Sequence, residues 1–214
     1  MLKKWDSIWL NCFYLFGIAL LMIWVGFGQA WPERFKLIWL MAMILPIHAC
    51  EEWQLPGGFH YQYNLTFGSK IPNQYPMNRL TDMLTILIAE VVYLVSLCFY
   101  QQTWILMTFC GFSLLEVGAH TYFGIKMYQR FKSRGKRTIY NPGFATAYLG
   151  FGGAVLLIIR NIVTTTGVTS TDWLLMAVML MGMFLFEIML PERLFRDPHT
   201  KFGYQSPMYF SKFL

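Results

Sequence analysis

Charge is scarce in this 214-residue sequence: Asp, Glu, Lys and Arg make up only 13% of it, against about 25% in a typical soluble domain. The deficit is uneven, because long apolar runs are almost free of charge while the basic residues collect between them. A soluble globule is thereby excluded, and a hydrophobic share of 56% excludes low-charge disorder. Cysteine is also sparse. Cys12, Cys50, Cys98 and Cys110 sit singly in or beside apolar runs, which rules out a disulfide frame or a CxxC metal site and leaves them as small buried hydrophobes. Internal repeats are lacking, so a transporter built from duplicated halves is disfavoured. Acids are fewer than bases, 11 against 17, giving a net charge of +6. No basic stripe runs through a soluble module, so nucleic acid is not an expected partner; the cations instead flank membrane segments.

What is present is a set of six apolar stretches, each near the ~20 residues that cross a bilayer. They fall at about 8–28, 35–52, 78–100, 103–125, 144–159 and 173–190. The fifth is weakened by Gly150, Gly152 and Gly153, which would also let a neighbouring helix approach closely. Lys3 and Lys4 ahead of the first run resemble a signal peptide, but no small-residue cleavage site follows Gly26–Ala30, so a retained first span is expected. The expected fold is therefore all-α, a single polytopic helical bundle over residues 1–214 with about six transmembrane helices. Lys126, Arg130, Lys132, Arg134, Lys136 and Arg137 form an acid-free basic segment. Arg193, Arg196, Lys201 and Lys212 follow the last run, and the links at 101–102 and 161–171 carry no cation. By the positive-inside rule both termini are expected in the cytoplasm, with Arg34 and Lys36 as the exceptions. Trp31, Trp53, Trp104 and Trp173 stand at span ends, as interfacial anchors.

An ionisable side chain inside a span costs at least about 2.5–3.5 kcal/mol on insertion scales, so each one needs a reason. The second span closes with Pro46-Ile47-His48-Ala49-Cys50-Glu51-Glu52-Trp53. At 100° per residue His48 and Glu52 share one helix face and Glu51 lies beside them, while Pro46 removes a backbone donor and loosens the helix. The fourth span repeats the chemistry as Glu116-Val117-Gly118-Ala119-His120. Asn78 opens the third span, and Asn141 lies in the turn Tyr140-Asn141-Pro142-Gly143 before the fifth. In the expected topology these residues, with Glu187, all fall at the cytoplasmic end of the bundle, which points to one polar site. Glu90 and Glu187 are read as helix–helix hydrogen-bond partners. His60 and His199 are read as solvent-facing, and the Met-rich sixth span as packing. The sequon Asn64-Leu65-Thr66 falls on the wrong side for glycosylation.

Imidazoles and carboxylates on facing helices suit a divalent metal, zinc first, with iron or manganese as alternatives. The expected ligands are His48, Glu51, Glu52, Glu116 and His120. Crowded carboxylates repel one another near hydrocarbon, and a dication relieves that cost. Glu51 or Glu52, whichever is not a ligand, would serve as general base, and Asn141 could donate to a developing oxyanion. Asn78, Arg79, Lys126 and Arg130 are the candidate substrate-binding residues, the cations attracting an anionic head group.

At these residues the chain resembles the HXXEE-domain membrane proteins. The likeness covers His48-x-x-Glu51-Glu52-Trp53, Leu55-Pro56-Gly57-Gly58-Phe59, Asn78-Arg79, Glu116-x-x-x-His120 and Tyr140-Asn141-Pro142-Gly143, in that order, across about residues 46–146. It implies a small bacterial membrane protein with a polar or metal site, and no particular reaction; the expected location is the cell membrane, the inner or cytoplasmic one in a bacterium. The membrane-embedded CAAX-protease-like proteins are an analogy only: their Glu-Glu-x-x-x-Arg pattern meets Pro56 here in place of the arginine.

Together these features lead us to expect an integral membrane metal-dependent enzyme, a hydrolase of lipid or lipid-linked substrates at the cytoplasmic leaflet. The alternative is a non-enzymatic membrane protein, a small transporter or an immunity or accessory factor, using the cluster to bind an ion or join helices.

Overall fold

A computed structural model describes residues 2–165 and 167–214; the side chains of residues 1–7, Lys3 and Lys4 among them, lie outside the described set. The described chain is 77% helix and holds no strand, so the class is all-α. The helices are α1 (Leu2–Phe27), α2 (Glu33–Trp53), α3 (Phe59–Thr66), α4 (Arg79–Ser96), α5 (Thr103–Phe131), α6 (Phe144–Thr165) and α7 (Ser170–Phe195). Each of the six apolar stretches falls on one long helix. The short α3, eight residues with aromatic and polar side chains intermixed, is not among the expected elements.

Four segments are long and apolar enough to cross a membrane, and they mark the chain as a membrane protein: Ile8–Ala30, Arg79–Phe99, Phe144–Thr165 and Ser170–Phe195. The helices α2 and α5, at 21 and 29 residues, have the length but carry more polar side chains. The outer surface is apolar, with Leu15, Met22 and Val25 of α1 and Leu174, Val178 and Met181 of α7 exposed, whereas His48, Glu52, Glu90, His120 and Glu187 are buried. In water that surface would be an aggregation hazard; against lipid it is the low-energy arrangement.

α2 and α5 occupy the middle of the bundle. Ile38, Met41 and Ala42 of α2 meet Leu106 and Phe109 of α5, Tyr93 of α4 and Phe151 and Ile158 of α6 in one core. α1 joins where Gly17 lies against Pro46, so closely that a Cβ on Gly17 would sit 2.7 Å from the proline Cβ. Two helices contain π-helical turns, Ala147–Phe151 in α6 and Phe184–Met189 in α7. Such one-turn widenings re-aim side chains and recur beside functional sites, and here both border the polar cluster.

The connections separate into two groups. At one end the α3 region, the loop before α6 and the carboxyl tail pack together: Tyr61, Phe131, Phe210 and Phe213 form a satellite core, Arg79 N–H donates to Phe202 O, and Tyr204 N–H donates to Asn73 O. Lys136 lies over the Tyr209 ring and donates to Tyr140 O; burial, with Lys212 nearby, lowers its pKa to about 8. At the other end Arg34 donates to Gln101 O and Thr103 Oγ1.

His60 corrects an expectation. It is fully buried, not solvent-facing, with its ring stacked on Tyr204 at 3.7 Å and 7°. Burial lowers its pKa to about 3, the side chain of Asn73 and the backbone of Ser206 opposing the shift only in part. Because the folded pKa lies below the ordinary value near 6.5, the unfolded chain takes up the proton first, and stability is lost as pH falls from about 6.5 towards 3. A His60→Phe variant is expected to unfold less steeply with acid over that window, read by thermal melting in detergent from pH 7 to 4. Asn64 is buried likewise: its side chain donates to Pro72 O and Met77 O and accepts from Met77 N–H, so it ties the 64–77 loop together.

Candidate metal centre

The last turn of α2 brings His48, Glu51 and Glu52 to one level, and the middle of α5 brings Glu116 and His120 to face them. His48 Nε2 lies 3.4 Å from Glu52 Oε1 and 3.7 Å from Glu116 Oε2; His120 Nε2 lies 3.2 Å and 3.7 Å from the same two oxygens. One ligand atom each from His48, Glu116 and His120 falls within 4.8 Å of the others, and this group could hold a metal ion. Atoms bonded to one zinc-like ion at 2.0–2.2 Å lie about 3–3.7 Å apart, and both histidines stand at 3.7 Å from Glu116 Oε2, close to that spacing.

The two imidazoles are oriented by their other nitrogens. Thr146 Oγ1 spends its proton on Glu51 Oε2, 2.6 Å away, and lies 2.7 Å from His48 Nδ1. The imidazole must therefore donate at Nδ1, which leaves Nε2 with a lone pair in the neutral ring. On the other side, Asn141 Nδ2 donates to His120 O at 2.8 Å and to Ile139 O at 3.3 Å, so its Oδ1 is the acceptor 3.1 Å from His120 Nδ1. In the neutral ring His120 too presents a lone pair at Nε2, which is buried and without a hydrogen-bond partner among the described residues. Two lone pairs aimed at two carboxylates repel unless a cation or protons lie between them. This is the arrangement of metal-ligating histidines, each fixed through the nitrogen that does not bind the ion.

Glu51 departs from the expected ligand role. Its Oε1 accepts from Tyr140 OH at 3.0 Å and Ala145 N–H at 3.1 Å, and its Oε2 accepts from Thr146 N–H at 2.7 Å as well as the Thr146 hydroxyl. Both oxygens are thus occupied at the start of α6, where free N–H groups attract an anion. Burial and the neighbouring Glu51 charge push the Tyr140 hydroxyl above its ordinary range, so it stays a donor. The sequence places Glu51 and Glu52 side by side, and the helix turn sends them to different tasks. Gly143 completes the fit: its φ is +88°, and a Cβ there would lie 2.1 Å from His120 Cε1 and 2.9 Å from Glu52 Cγ.

The family model described as "Protein of unknown function with HXXEE motif" matches residues 39–154, more than half of the chain. The chain belongs to the HXXEE family. The motif that names it is thus one residue of the group that could hold a metal, one carboxylate bonded to the start of α6 and one carboxylate between the two imidazoles. No curated protein and no solved structure matches the chain. The matched stretch spans most of α2 through the first half of α6; α1 and α7 of this HXXEE chain lie outside it.

A cavity of about 630 Å³ opens beside the cluster, lined by His48, Glu52 and Glu116, by apolar side chains including Phe112, Phe123, Phe151 and Phe184, and by Asp82 and Glu187. Among the described residues the arginines and lysines lining it are Arg193 of α7 and Arg196 just past its end, which the sequence pattern marked for topology alone. The four expected substrate residues do not line it. Asn78 is the N-cap of α4, accepting from Leu80 and Thr81 N–H and donating to Phe195 O. Arg79 donates to Phe202 O, Lys126 lies over the Tyr122 ring, and Arg130 is exposed. Glu90 is not the hydrogen-bond partner expected: among the described residues both its oxygens are buried without a partner, as is Oε1 of Glu187. Thr146, with no special standing in the sequence, proves central because it links Glu51 to His48.

Proposed function

We propose that this HXXEE protein is a membrane-embedded, metal-dependent hydrolase of lipid or lipid-linked substrates, with His48, Glu116 and His120 as metal ligands and Glu52 as general base. The observation that carries the reading is the pair of bare, inward-facing Nε2 atoms, each held by a fixed acceptor at Nδ1 and each beside two carboxylates. Two histidines and one glutamate form a ligand set used for catalytic zinc, leaving a position open for substrate or water. When bound there, a divalent ion would polarise an acyl carbonyl and acidify a nearby water.

The protein's own groups supply the rest. Glu52 lies between the two imidazoles and lines the cavity, so its carboxylate is placed to take a proton from water and return it to the leaving group. Thr146 and Asn141 hold the imidazoles, and Asn141 is a positioning residue in this reading, not an oxyanion donor. The phenylalanine walls exclude water and accept an acyl or isoprenoid chain. Charge balance favours occupancy: one dication offsets the two carboxylates Glu116 and Glu52, which crowded near hydrocarbon would otherwise have to be neutralised by protons.

We further propose six crossings with both termini in the cytoplasm. Support comes from the two groups of connections described above and from the cations, since the end holding the α3 region, the 132–143 loop and the tail carries nearly all of them. Arg34, Lys36 and Arg160 stand at the other end. The cluster then lies towards the cytoplasmic leaflet.

Hydrolysis is tested by incubating zinc-loaded, detergent-purified protein with mixed phospholipid vesicles and analysing products by mass spectrometry. The reading expects lipid cleavage by the wild type and none by Glu52→Gln with its metal retained. Cleavage that survives in Glu52→Gln would remove Glu52 as the base; no cleavage of any lipid, with metal bound, would leave a metal-binding protein without this activity.

A further inference from the structure

The cavity beside the cluster is not alone. A second, shallower pocket of about 500 Å³ is lined by Ser69, Lys70 and Tyr75 and shares Tyr63, Phe67, Glu192 and Arg196 with the first. The two therefore adjoin, the first predominantly apolar and the second more polar. Tyr63 OH donates to Glu192 Oε2 at 2.6 Å at the junction. Burial and that carboxylate push the phenol above its ordinary range, so it remains a donor. Glu192 is thus engaged, while the guanidinium groups of Arg193 and Arg196 are exposed and have no carboxylate within ion-pair distance among the described residues.

From this arrangement we infer the substrate class and the bond cut: an anionic acyl lipid, held by its headgroup between Arg193, Arg196 and Lys70, with its acyl carbonyl at the metal centre. The inference rests on the hydrolase reading above. Its basis is where the charges stand. Glu52, Glu116, Asp82 and Glu187 all line the cavity of the cluster, while Arg196 and the phenol-bonded Glu192 line both pockets and Lys70 lines the second. At 1.5 Å per residue, Arg193 is about 9 Å along α7 from Glu187, and Arg196 follows as the residue just past the helix end. A phosphate reacting at the centre would meet a single dication already balanced by Glu52 and Glu116, with Arg193 and Arg196 the only guanidinium groups lining the cavity, a poorer setting for phosphoryl transfer than for an uncharged carbonyl. An acyl carbonyl is neutral, and its polarisation requires no further cation. The phosphate belongs at the mouth, where guanidinium groups can pair with it in bidentate fashion, and the chain belongs among Phe112, Phe123, Phe151 and Phe184.

The bond change follows. Water oxygen joins the acyl carbon, the acyl C–O bond breaks, and the proton taken by Glu52 passes to the departing glycerol oxygen. The products are a fatty acid and an alcohol that keeps the phosphate; nothing is oxidised or reduced.

The test separates binding from turnover. Zinc-loaded wild type and an Arg193→Gln/Arg196→Gln variant are titrated with lysophosphatidylglycerol and lysophosphatidylcholine bearing a fluorescent acyl chain, and products are identified by mass. The wild type is expected to bind the phosphatidylglycerol form about tenfold more tightly, a difference of ~1.4 kcal/mol, and the variant to lose that preference with its metal content unchanged. Millimolar inorganic phosphate is expected not to displace the lipid; full displacement would make the pocket a free-phosphate site and overturn the lipid assignment. Release of fatty acid supports the acyl cut, and release of a dephosphorylated lipid overturns it. A headgroup preference lost in the variant, without any hydrolysis, would uphold the binding site and reject the enzyme. Equal affinity for both lipids in the wild type would reject the headgroup site itself.

Discussion

His48→Ala and His120→Ala are each expected to weaken metal binding by more than 100-fold while the protein still inserts and folds. Each removes one of the ligand atoms that lie within 4.8 Å of one another and leaves the apolar helix surfaces intact. The loss should exceed the 10–100-fold that removal of an orienting partner costs. Thr146→Val and Asn141→Ala supply that comparison, since they touch the Nδ1 side only. Isothermal titration with zinc in detergent gives the order directly: wild type tightest, the two orienting variants intermediate, the two ligand variants weakest. If Thr146→Val were as damaging as His48→Ala, the threonine would have to be a ligand or a folding requirement, and the assignment of roles would need revision.

Glu51→Gln should behave quite differently from Glu116→Gln, although both remove one negative charge from the same neighbourhood. The Glu51 carboxylate accepts four hydrogen bonds, three of them from the first turn of α6. An amide there offers one acceptor oxygen and turns a donor towards other donors, so a buried N–H loses its partner. The expected cost is about 2–4 kcal/mol, visible as a lower thermal midpoint of the metal-free protein, with zinc affinity changed less than tenfold. Glu116→Gln should show the reverse, a small change in midpoint and a large loss of zinc. Equal loss of zinc in both would return Glu51 to the ligand set.

Much of this was readable in the sequence, for physical reasons that can be named. Apolar runs of bilayer length give the long helices because hydrocarbon leaves the backbone few alternatives. The i, i+4 spacings of His48 with Glu52 and of Glu116 with His120 give two helix faces, since that periodicity is fixed by the helix itself. The grouping of those faces at one depth followed from alternate helices sharing an end.

What stayed hidden depended on contacts between distant segments. Glu51 and Glu52 are chemically identical and adjacent, and only the arrival of Thr146 and Ala145 separates them. His60 looked like a loop residue because nothing local reveals that Tyr204, far along the chain, will stack on it. Asn78 and Arg79 sat at the right end of the bundle to bind substrate, yet a short polar side chain before a helix is as fitting for an N-cap, and that is its place. Arg193 and Arg196 were read as topology markers because the course of α7 past the cluster, with its π-helical turn at Glu187, has no signature in hydropathy.

The central claim is that the cluster holds a metal ion, and elemental analysis of gently extracted, unchelated protein tests it most directly. The account predicts about one zinc, iron or manganese ion per chain, the stoichiometry of a single two-histidine, one-glutamate centre. The ion should be absent from His120→Ala prepared in parallel. Wild-type protein that emerges metal-free, and takes up none of the three ions when they are added, would contradict it and leave His48, Glu52, Glu116 and His120 as a protonated network joining α2 to α5.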